Sequence, residues 1–450
     1  GCFMSLPLKK KFNDLLERKP ISMHVQGHKN ATIGYLEQLK LEMDMTEITG
    51  LDDLHHPEGV IAQSMNNVKK HPDYDAFFLV NGTTSGILSV IQGFSNIQGE
   101  YVIARNAHKS VFHALDLVNE PCRLLGMDMS IKTKQYLGPQ QNSLFQQLKD
   151  MKLLVLTYPN YYGECFDIEG ILKHTKIHQI PTLIDEAHGA HFNLPGFPKS
   201  SLNLGADYVV QSYHKTLPSL TMSSIIFIHK NAPQREKVLK YLTYFQSSSP
   251  SYLLMNSLEL AHDFYENYNT NLFFKKRKKC IDTIESIGMR VVEVNDPLKL
   301  NIQCTGYSGI ELQQFFENKD IYVELADEYQ VLFVLPLWHE GDQYPFEDLI
   351  DRIKQIEVEK RFNSIDYDMP DYEVCGFYHP GEIAKVKSID INEAENQILA
   401  VNIVPYPPGI PVMLKGEIIT KNMIKLMNYW CEQHIRIEGI KKHKIEIKDE

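Results

Sequence analysis

The sequence predicts an α/β fold in which a mostly parallel β-sheet is covered by helices on both faces. The first observation behind this prediction is a series of apolar runs, three to five residues long, that begins at about residue 74. The second is that stretches with helical periodicity separate many of these runs, and strands joined in this way lie parallel in a sheet buried on both sides. The third is that polar motifs follow several of the runs. This position agrees with a parallel sheet, in which ligands bind at the carboxyl ends of the strands.

The individual elements can be assigned in chain order. An amphipathic helix around Leu8–Arg18 comes first, and the alternating region follows it. The apolar runs predict strands at Ala76–Val80, Tyr101–Ala104, Leu153–Thr157, Thr182–Ile184, Tyr208–Gln211 and Ser224–Ile228. Helical periodicity predicts helices at Thr84–Phe94, Ser110–Val118, Ser143–Met151 and Ile168–His178.

The second half of the chain predicts smaller α+β units. One long helix is expected over Tyr252–Ile287, and residues 363–378 are polar and tyrosine-rich, which predicts a linker. The other predicted elements are Leu298–Gln303, Ile310–Asn318, Ile321–Leu325, Val331–Leu335, Phe346–Lys360 and Lys421–His434. We therefore expect an N-terminal segment (1–55), a large cofactor-binding domain (56–290), a small α+β subdomain (291–365) and a C-terminal domain (366–450).

Composition argues against several classes of protein. The net charge of −11 disfavours a nucleic-acid-binding protein, which is usually basic. No apolar run approaches the roughly 18 residues that a membrane-spanning helix needs. The seven cysteines form no CxxC pair, which favours reduced thiols and a cytoplasmic protein over a disulfide framework or a zinc site.

Lys215 is the strongest candidate for a catalytic residue. It follows the apolar run Ala206–Val210, and a lysine behind a buried strand is partly dehydrated, so that its amine is a better nucleophile. Asp185 ends another apolar run, thirty residues earlier. In pyridoxal 5'-phosphate enzymes a lysine forms the Schiff base with the cofactor, and an acid holds the proton of the pyridine nitrogen. The pair therefore indicates this cofactor.

A turn between a predicted strand and a predicted helix suits the phosphate of such a cofactor. It has the sequence Asn81-Gly82-Thr83-Thr84-Ser85-Gly86, in which backbone amides at a helix N-terminus and several hydroxyls are available as donors. The GxxxxGK[ST] spacing of a Walker loop is absent. His108 follows the strand predicted at Tyr101–Ala104, where its ring is placed to stack on a planar cofactor.

His188 and His191 leave a second interpretation open. They follow Asp185 at spacings of three and six residues, so the three side chains together could ligate a metal in a metal-dependent hydrolase. No further cluster of ligand residues accompanies them. The sequence therefore favours a pyridoxal-phosphate site with no metal.

The motifs together resemble one family, the bacterial ornithine/lysine/arginine decarboxylases, in their wingless form. These are pyridoxal-phosphate enzymes of fold type I, with the aspartate-aminotransferase fold. The resemblance covers most of the chain. It rests on Asp44-Met45-Thr46-Glu47, Leu51-Asp52-Asp53-Leu54-His55, Asn81-Gly82-Thr83-Thr84, Arg105-Asn106-Ala107-His108-Lys109-Ser110, Asp185-Glu186-Ala187-His188, Ser212-Tyr213-His214-Lys215-Thr216-Leu217, Tyr406-Pro407-Pro408-Gly409-Ile410-Pro411 and Gly416-Glu417.

The resemblance implies a role for each motif. Lys215 would form the Schiff base, Asp185 would pair with the pyridine nitrogen, and His108 and Ala187 would pack on opposite faces of the ring. The implied cofactor-binding set is Lys215, Thr83, Thr84, Ser85, His108, Asp185, Ala187, His188, Ser212 and His214. The resemblance also implies a homodimer whose active site is shared between subunits, with the acidic segment Asp44–Glu58 near its mouth.

The resulting hypothesis is a decarboxylase that converts a basic L-amino acid to its amine and CO2 and serves polyamine biosynthesis. Arginine is the first choice of substrate, followed by lysine and ornithine. Two alternatives stay open at this point. One is another reaction on the same cofactor, such as transamination or a lyase step. The other is a catalytically silent pyridoxal-phosphate protein with a regulatory role.

Overall fold

The computed structural model describes residues 4–146, 150–365 and 376–450. Its helices are α1 (Pro7–Glu17), α2 (Val60–Asn67), α3 (Gly82–Gly93), α4 (Lys109–Val118), α5 (Gln141–Gln146), α6 (Ile168–Ile177), α7 (Tyr213–Thr216), α8 (Arg235–Tyr244), α9 (Tyr252–Glu266), α10 (Asn271–Ser286), α11 (Gly309–Glu317), α12 (Phe346–Lys354) and α13 (Lys421–Glu432).

The strands within the described residues are β1 (Ile21–Met23), β2 (Tyr74–Leu79), β3 (Glu100–Ala104), β4 (Cys122–Leu125), β5 (Met127–Met129), β6 (Tyr136–Pro139), β7 (Met151–Thr157), β8 (Thr182–Asp185), β9 (Tyr208–Gln211), β10 (Ser224–His229), β11 (Arg290–Val292), β12 (Lys299–Gln303), β13 (Ile321–Val323), β14 (Leu325–Ala326), β15 (Val331–Val334), β16 (Phe377–Tyr378), β17 (Val386–Asp390), β18 (Val404–Pro405), β19 (Ile437–Glu438) and β20 (Lys444–Lys448).

The central sheet has eight strands in the described ranges, in the order β16-β4-β3-β7-β8-β9-β10-β2. The strands from β4 to β9 in this order run parallel. Strand β10 is antiparallel to both β9 and β2, so β2 runs in the same direction as the parallel group. Strand β16 adds an antiparallel edge beside β4. The arrangement confirms the predicted α/β fold with a mostly parallel sheet.

Both faces of this sheet are buried. Ile103, Val155 and Val210 belong to one apolar cluster, whereas their chain neighbours Val102 and Leu154 belong to another. Helices α3, α4 and α8 cover the first face, and α2, α6 and α9 cover the second. Because side chains alternate between two buried faces, these strands appear in the sequence as continuous apolar runs.

Two smaller units flank the large domain. Strands β11, β12, β15 and β14 form an antiparallel sheet, and β1 pairs in parallel with β13, so the N-terminal segment joins this small subdomain. In the C-terminal unit β17 pairs with β20, and α13 contributes Trp430 to an apolar core that includes Leu399. The fully buried ion pair between Arg105 and Glu417 connects the C-terminal unit to the end of β3.

Several predicted elements are corrected by the structure. The single helix expected over Tyr252–Ile287 is two helices, α9 and α10, because the polar residues Asn267 and Asn269 interrupt the pattern. The run Ile321–Leu325 divides between two sheets. The helix predicted at Ser143–Met151 is too long, since Met151 already begins β7. Strand β4 was not predicted, and residues 366–375 of the expected linker lie outside the described residues.

In the described part of the chain, each helix is too short or too polar to span a lipid bilayer.

Candidate active site

A cavity of ≈ 330 Å³ opens at the edge of the sheet where the parallel strands end. Residues that follow β2, β3, β7, β8 and β9 line it, as expected for a ligand site in such a sheet. Its wall consists of Asn81, Gly82, Thr83, Thr84, Asn106, His108, Lys109, Thr157, Tyr161, Asp185, Ala187, His188, Ser212, His214, Lys215, Thr221, Met222, Tyr406, Pro408 and Ile410. The structure thus brings together the whole predicted cofactor-binding set except Ser85.

Lys215 reaches the cavity from the short helix α7, directly after β9. Its backbone N–H donates to the Ser212 carbonyl at 3.1 Å. The neighbouring Tyr213 is fully buried, and its hydroxyl lies 2.9 Å from His262 Nδ1. Burial lowers the pKa of the Lys215 amine, while Asp185 and Glu324 oppose this shift. A lowered pKa leaves a larger fraction of the amine unprotonated and therefore nucleophilic.

Asp185 and Glu186 follow each other at the end of β8 but have different surroundings. Within the described residues the Asp185 carboxylate accepts one hydrogen bond, from the Ala187 N–H at 3.1 Å. Burial raises the pKa of Asp185, and the nearby Lys215 opposes that rise. Glu186 is outside the cavity wall, where it accepts hydrogen bonds from Ser200, Ser201 and Gln211. Of these two acids, Asp185 is therefore the one that faces the cavity with acceptor capacity left for a cationic ligand group.

The predicted phosphate turn connects β2 to the twelve-residue helix α3. Gly82 begins that helix with a φ of +77°, a conformation that favours glycine, and its N–H donates to the Met222 carbonyl at 2.9 Å. The Ser212 hydroxyl lies 3.3 Å from the Thr83 hydroxyl, so donors from two strand ends converge. Ser85 is not part of this wall, because its buried hydroxyl donates to the Gly82 carbonyl at 2.8 Å.

His108 caps helix α4 and lies against the C-terminal loop. Its Nδ1 accepts a hydrogen bond from the Ser110 N–H at 3.1 Å. Gly409 approaches the other side of the ring so closely that a Cβ there would lie 2.9 Å from His108 Nε2. Burial, together with Lys215 and Lys109, lowers the pKa of His108 to about 3. A neutral, fixed ring of this kind suits stacking against a planar ligand.

His188 and His191 are each paired with a side chain from the small subdomain. His188 Nδ1 lies 2.9 Å from Lys299 Nζ, and His191 Nε2 lies 2.9 Å from both carboxylate oxygens of Asp296. His188 lines the cavity, whereas His191 is fully buried behind it. No group of three potential metal ligands was found among the described residues.

Part of the wall was missed by sequence reasoning. Thr221 and Met222 precede the antiparallel strand β10, so their approach to the cavity depends on a strand direction that the sequence does not show. Tyr406 and Pro408 come from the C-terminal unit, far along the chain. The acidic segment Asp44–Glu58, which was expected near the mouth of the active site, contributes no residue to this wall. Burial would raise the pKa of Asp52, but hydrogen bonds from backbone amides, including those of Glu58 and Gly59, lower it to about 2.

The residues present fit pyridoxal phosphate. A nucleophilic lysine and a carboxylate with spare acceptor capacity share one cavity, and a helix N-terminus with threonine hydroxyls stands at its side. Two buried atoms of the wall, His214 Nδ1 and Asn106 Oδ1, have no hydrogen-bond partner within the described residues, as expected for a wall that binds a polar ligand. Fold and cavity together define a fold-type I pyridoxal-phosphate enzyme.

The chain belongs to the Orn/Lys/Arg decarboxylase family. The model of the family's major domain matches residues 7–299, and that of its C-terminal domain matches residues 381–443. The protein is therefore a pyridoxal-phosphate-dependent decarboxylase, and the expected family resemblance is confirmed.

Individual relatives span nearly the whole chain. The Bacillus subtilis protein YaaO is 36% identical and covers 97% of this chain and 96% of its own length. The arginine decarboxylase of the same organism is 27% identical over 96% of this chain and 95% of its own. Among solved structures, lysine decarboxylase A from Pseudomonas aeruginosa has a TM-score of 0.70 at 16% identity, covering 90% of this chain and 74% of that one. The structural likeness confirms the fold.

Proposed function

We propose that this decarboxylase acts on L-arginine, with lysine and ornithine as poorer substrates, and releases the amine and CO2. Its family acts on basic amino acids, and relatives that span at least 89% of the chain include several arginine decarboxylases. The observation that carries the proposal is a pair of carboxylates, the half-buried Asp327 and the buried Glu328, in a pocket next to the cofactor cavity. We propose further that the reaction takes place in the cytoplasm and supplies polyamine biosynthesis.

The bound cofactor would supply an electron sink for the carbon that loses CO2. Lys215 would hold the cofactor and, once protonated, would supply the proton that replaces CO2 on that carbon. Asp185 would keep the ring nitrogen protonated, because a carboxylate beside a cation stabilises the charged form. Thr83, Thr84, Ser212 and His214 would hold the phosphate, and Ala187 with His108 would orient the ring.

The neighbouring pocket has the properties of a site for a long cationic side chain. It encloses ≈ 110 Å³ and shares Asn106, Tyr161, Pro408 and Ile410 with the cofactor cavity. Apolar side chains such as Leu325 supply most of its wall, which suits the methylene groups of an arginine.

Two acidic side chains in this pocket are suited to the charged end of the substrate. Asp327 accepts hydrogen bonds from Tyr162, Gln135 and Gln330, whereas Glu328 accepts one from Trp430 Nε1 at 2.9 Å. Burial and the nearby Asp327 raise the pKa of Glu328 to about 7. Within the described residues neither carboxylate forms an ion pair with a lysine or arginine. A guanidinium would supply the missing positive charge.

Purified protein loaded with pyridoxal phosphate is expected to release CO2 from L-arginine with a higher kcat/KM than from lysine or ornithine. CO2 release and amine formation are measured over a panel of amino acids, with citrulline as the neutral isostere of arginine. Keto-acid formation without CO2 would show transamination instead. A cofactor spectrum that none of the amino acids perturbs would support the silent, regulatory alternative.

Glu328→Gln is expected to lower kcat/KM for arginine by about 10- to 100-fold, because a charge-assisted hydrogen bond is lost. In the wild-type enzyme KM for arginine should rise as pH falls through about 7, where Glu328 takes up a proton. The variant should lose this pH dependence and show little change with citrulline. An equal loss of kcat/KM with arginine and with citrulline would contradict the proposal that Glu328 recognises the positive charge of the substrate.

We also propose that the active unit is a homodimer. Helix α1 has no buried residue, and its side chains Leu8, Phe12 and Leu16 form an apolar stripe in which each is more than half exposed. Leu41 and Ile48 are also exposed. Apolar surface of this kind favours a protein partner. Light scattering should give twice the chain mass of 51.9 kDa, and Phe12→Arg combined with Leu16→Arg should shift it toward one chain mass. A monomeric wild-type enzyme with full activity would contradict this proposal.

A further inference from the structure

Lys299 connects the small subdomain to the cofactor cavity through His188. It is the first residue of β12 and is fully buried. Its Nζ donates to the Tyr161 carbonyl at 3.0 Å and lies 2.9 Å from His188 Nδ1. The His188 ring lies against Tyr161, with ring centroids 4.2 Å apart, and lines the cavity. The lysine thus contacts the side of the histidine that carries Nδ1.

The surroundings give the lysine stem little freedom. Gly163 has a φ of +89°, and a Cβ there would lie 2.7 Å from the Lys299 Cγ, so the glycine provides the space through which the stem passes. The backbone N–H of Lys299 donates to the Asp296 carbonyl at 3.2 Å. The charged groups that act on the amine are Asp296, Glu324 and Lys215, and the net result with burial is a pKa of about 8. Near neutral pH the amine is therefore mostly an ammonium.

An ammonium group can donate hydrogen bonds but cannot accept them. His188 Nδ1 must then be the acceptor and carry the lone pair, and the neutral ring carries its proton on Nε2. A second proton on His188 is opposed by burial and by the adjacent Lys299 and Lys215, which hold its pKa well below the usual range. His188 Nε2 forms no hydrogen bond within the described residues.

We propose that Lys299 is a positioning residue that fixes His188 as the neutral Nε2–H tautomer and so provides the cavity with an uncharged N–H donor for an anionic oxygen. That oxygen belongs either to the cofactor or to the carboxylate of the amino-acid substrate, and both offer the same acceptor chemistry. The inference depends on the cofactor site and not on which amino acid is the substrate.

The tautomer can be measured in the apoprotein, without turnover. Protein labelled with 15N-histidine should give a His188 ring signal with a protonated Nε2 and an unprotonated Nδ1, assigned by its loss in His188→Gln. In Lys299→Met, which keeps the length of the stem and removes its donors, the proton should redistribute toward Nδ1. A wild-type His188 that carries its proton on Nδ1 would overturn the proposal even if the variant fails to fold.

The effect of Lys299→Met on cofactor binding and on KM distinguishes the two possible sources of the oxygen. If it belongs to the cofactor, Lys299→Met should weaken pyridoxal-phosphate binding to the apoprotein by about tenfold or more, since a hydrogen bond to a charged group is lost. If it belongs to the substrate, cofactor affinity should stay unchanged and KM should rise by a similar factor. A folded variant with neither change would refute the proposal.

Lys152→Met is the matched control. Lys152 is a buried lysine at the amino end of β7, opposite the cavity, and its Nζ donates to Glu120 Oε1 at 2.5 Å. Its loss should reduce thermal stability and leave the His188 tautomer, cofactor affinity and KM unchanged. Equal effects of Lys299→Met and Lys152→Met on the His188 tautomer, cofactor affinity and KM would mean that the loss of any buried lysine disturbs the site. The specific role of Lys299 would then be rejected.

Discussion

Replacing Lys215 by alanine is expected to abolish the visible absorbance of the lysine-bound cofactor and to lower kcat/KM by on the order of 10⁴-fold or more. The substitution removes both the nucleophile that would hold the cofactor and the amine that would supply the proton to the carbon that loses CO2. Absorbance spectra of the purified holoprotein and CO2 release from arginine measure the two effects. The fold should survive, because the Lys215 side chain lines a cavity.

Lys215→Arg separates charge from nucleophilicity. The guanidinium keeps a positive charge next to Asp185, but it stays protonated and forms no Schiff base. This variant should therefore be as inactive as the alanine variant, although it retains the charge. An arginine variant that kept the visible absorbance would contradict the assignment of Lys215.

Borohydride reduction followed by peptide mapping identifies the modified lysine directly. Burial lowers the pKa of Lys29 and of Lys70 to about 7, so an easily deprotonated amine is not unique to Lys215. Neither of these lysines lines the cavity, and the amine of Lys70 is bound to the Ala190 carbonyl at 2.6 Å. The label should appear on Lys215. A label on Lys70 or Lys29 would place the cofactor elsewhere.

Asp185→Asn is the second substitution for which we expect a very large effect. The amide cannot hold a proton on the ring nitrogen electrostatically, so kcat should fall by about 10²- to 10³-fold, as on removal of a key electrostatic contact. Cofactor should still bind through Lys215 and the phosphate turn, with an altered spectrum. Measurements of kcat, of bound cofactor per chain and of the absorbance maximum between pH 6 and 9 test this. A variant with wild-type kcat would exclude Asp185 as the partner of the ring nitrogen.

The adjacent acid provides a matched control. Glu186→Gln replaces a fully buried carboxylate whose hydrogen bonds to Ser200, Ser201 and Gln211 are all structural. It should lower the free energy of unfolding by about 1–3 kcal/mol, because buried hydrogen bonds are altered, and leave the cofactor spectrum unchanged. Equal spectral changes in both variants would mean that general loosening of the β8 end, and not the charge of Asp185, controls the cofactor.

Much of the site was predictable because its residues follow strands that the sequence makes recognisable. Lys215, Asp185 and His108 each follow a short apolar run, and in a parallel sheet such positions meet at one edge. Ser85 shows the limit of this reasoning. Ser85 carries a hydroxyl and belongs to the predicted phosphate turn. It is the residue after Thr84, however, and its hydroxyl donates back to the Gly82 carbonyl. Sequence spacing does not show which hydroxyl of a helix N-terminus faces the ligand.

The sequence by itself determined the α/β class, the cofactor and the lysine–aspartate pair, because these depend on local periodicity and on motifs that each occupy a few consecutive residues. Only the tertiary structure decided the antiparallel direction of β10, the pairing of Lys299 with His188 and the position of Glu328 beside the cofactor cavity. The last two of these features join residues more than a hundred positions apart, such as Lys299 and His188. The packing of separate units brings these residues together, and no local sequence pattern predicts such a contact.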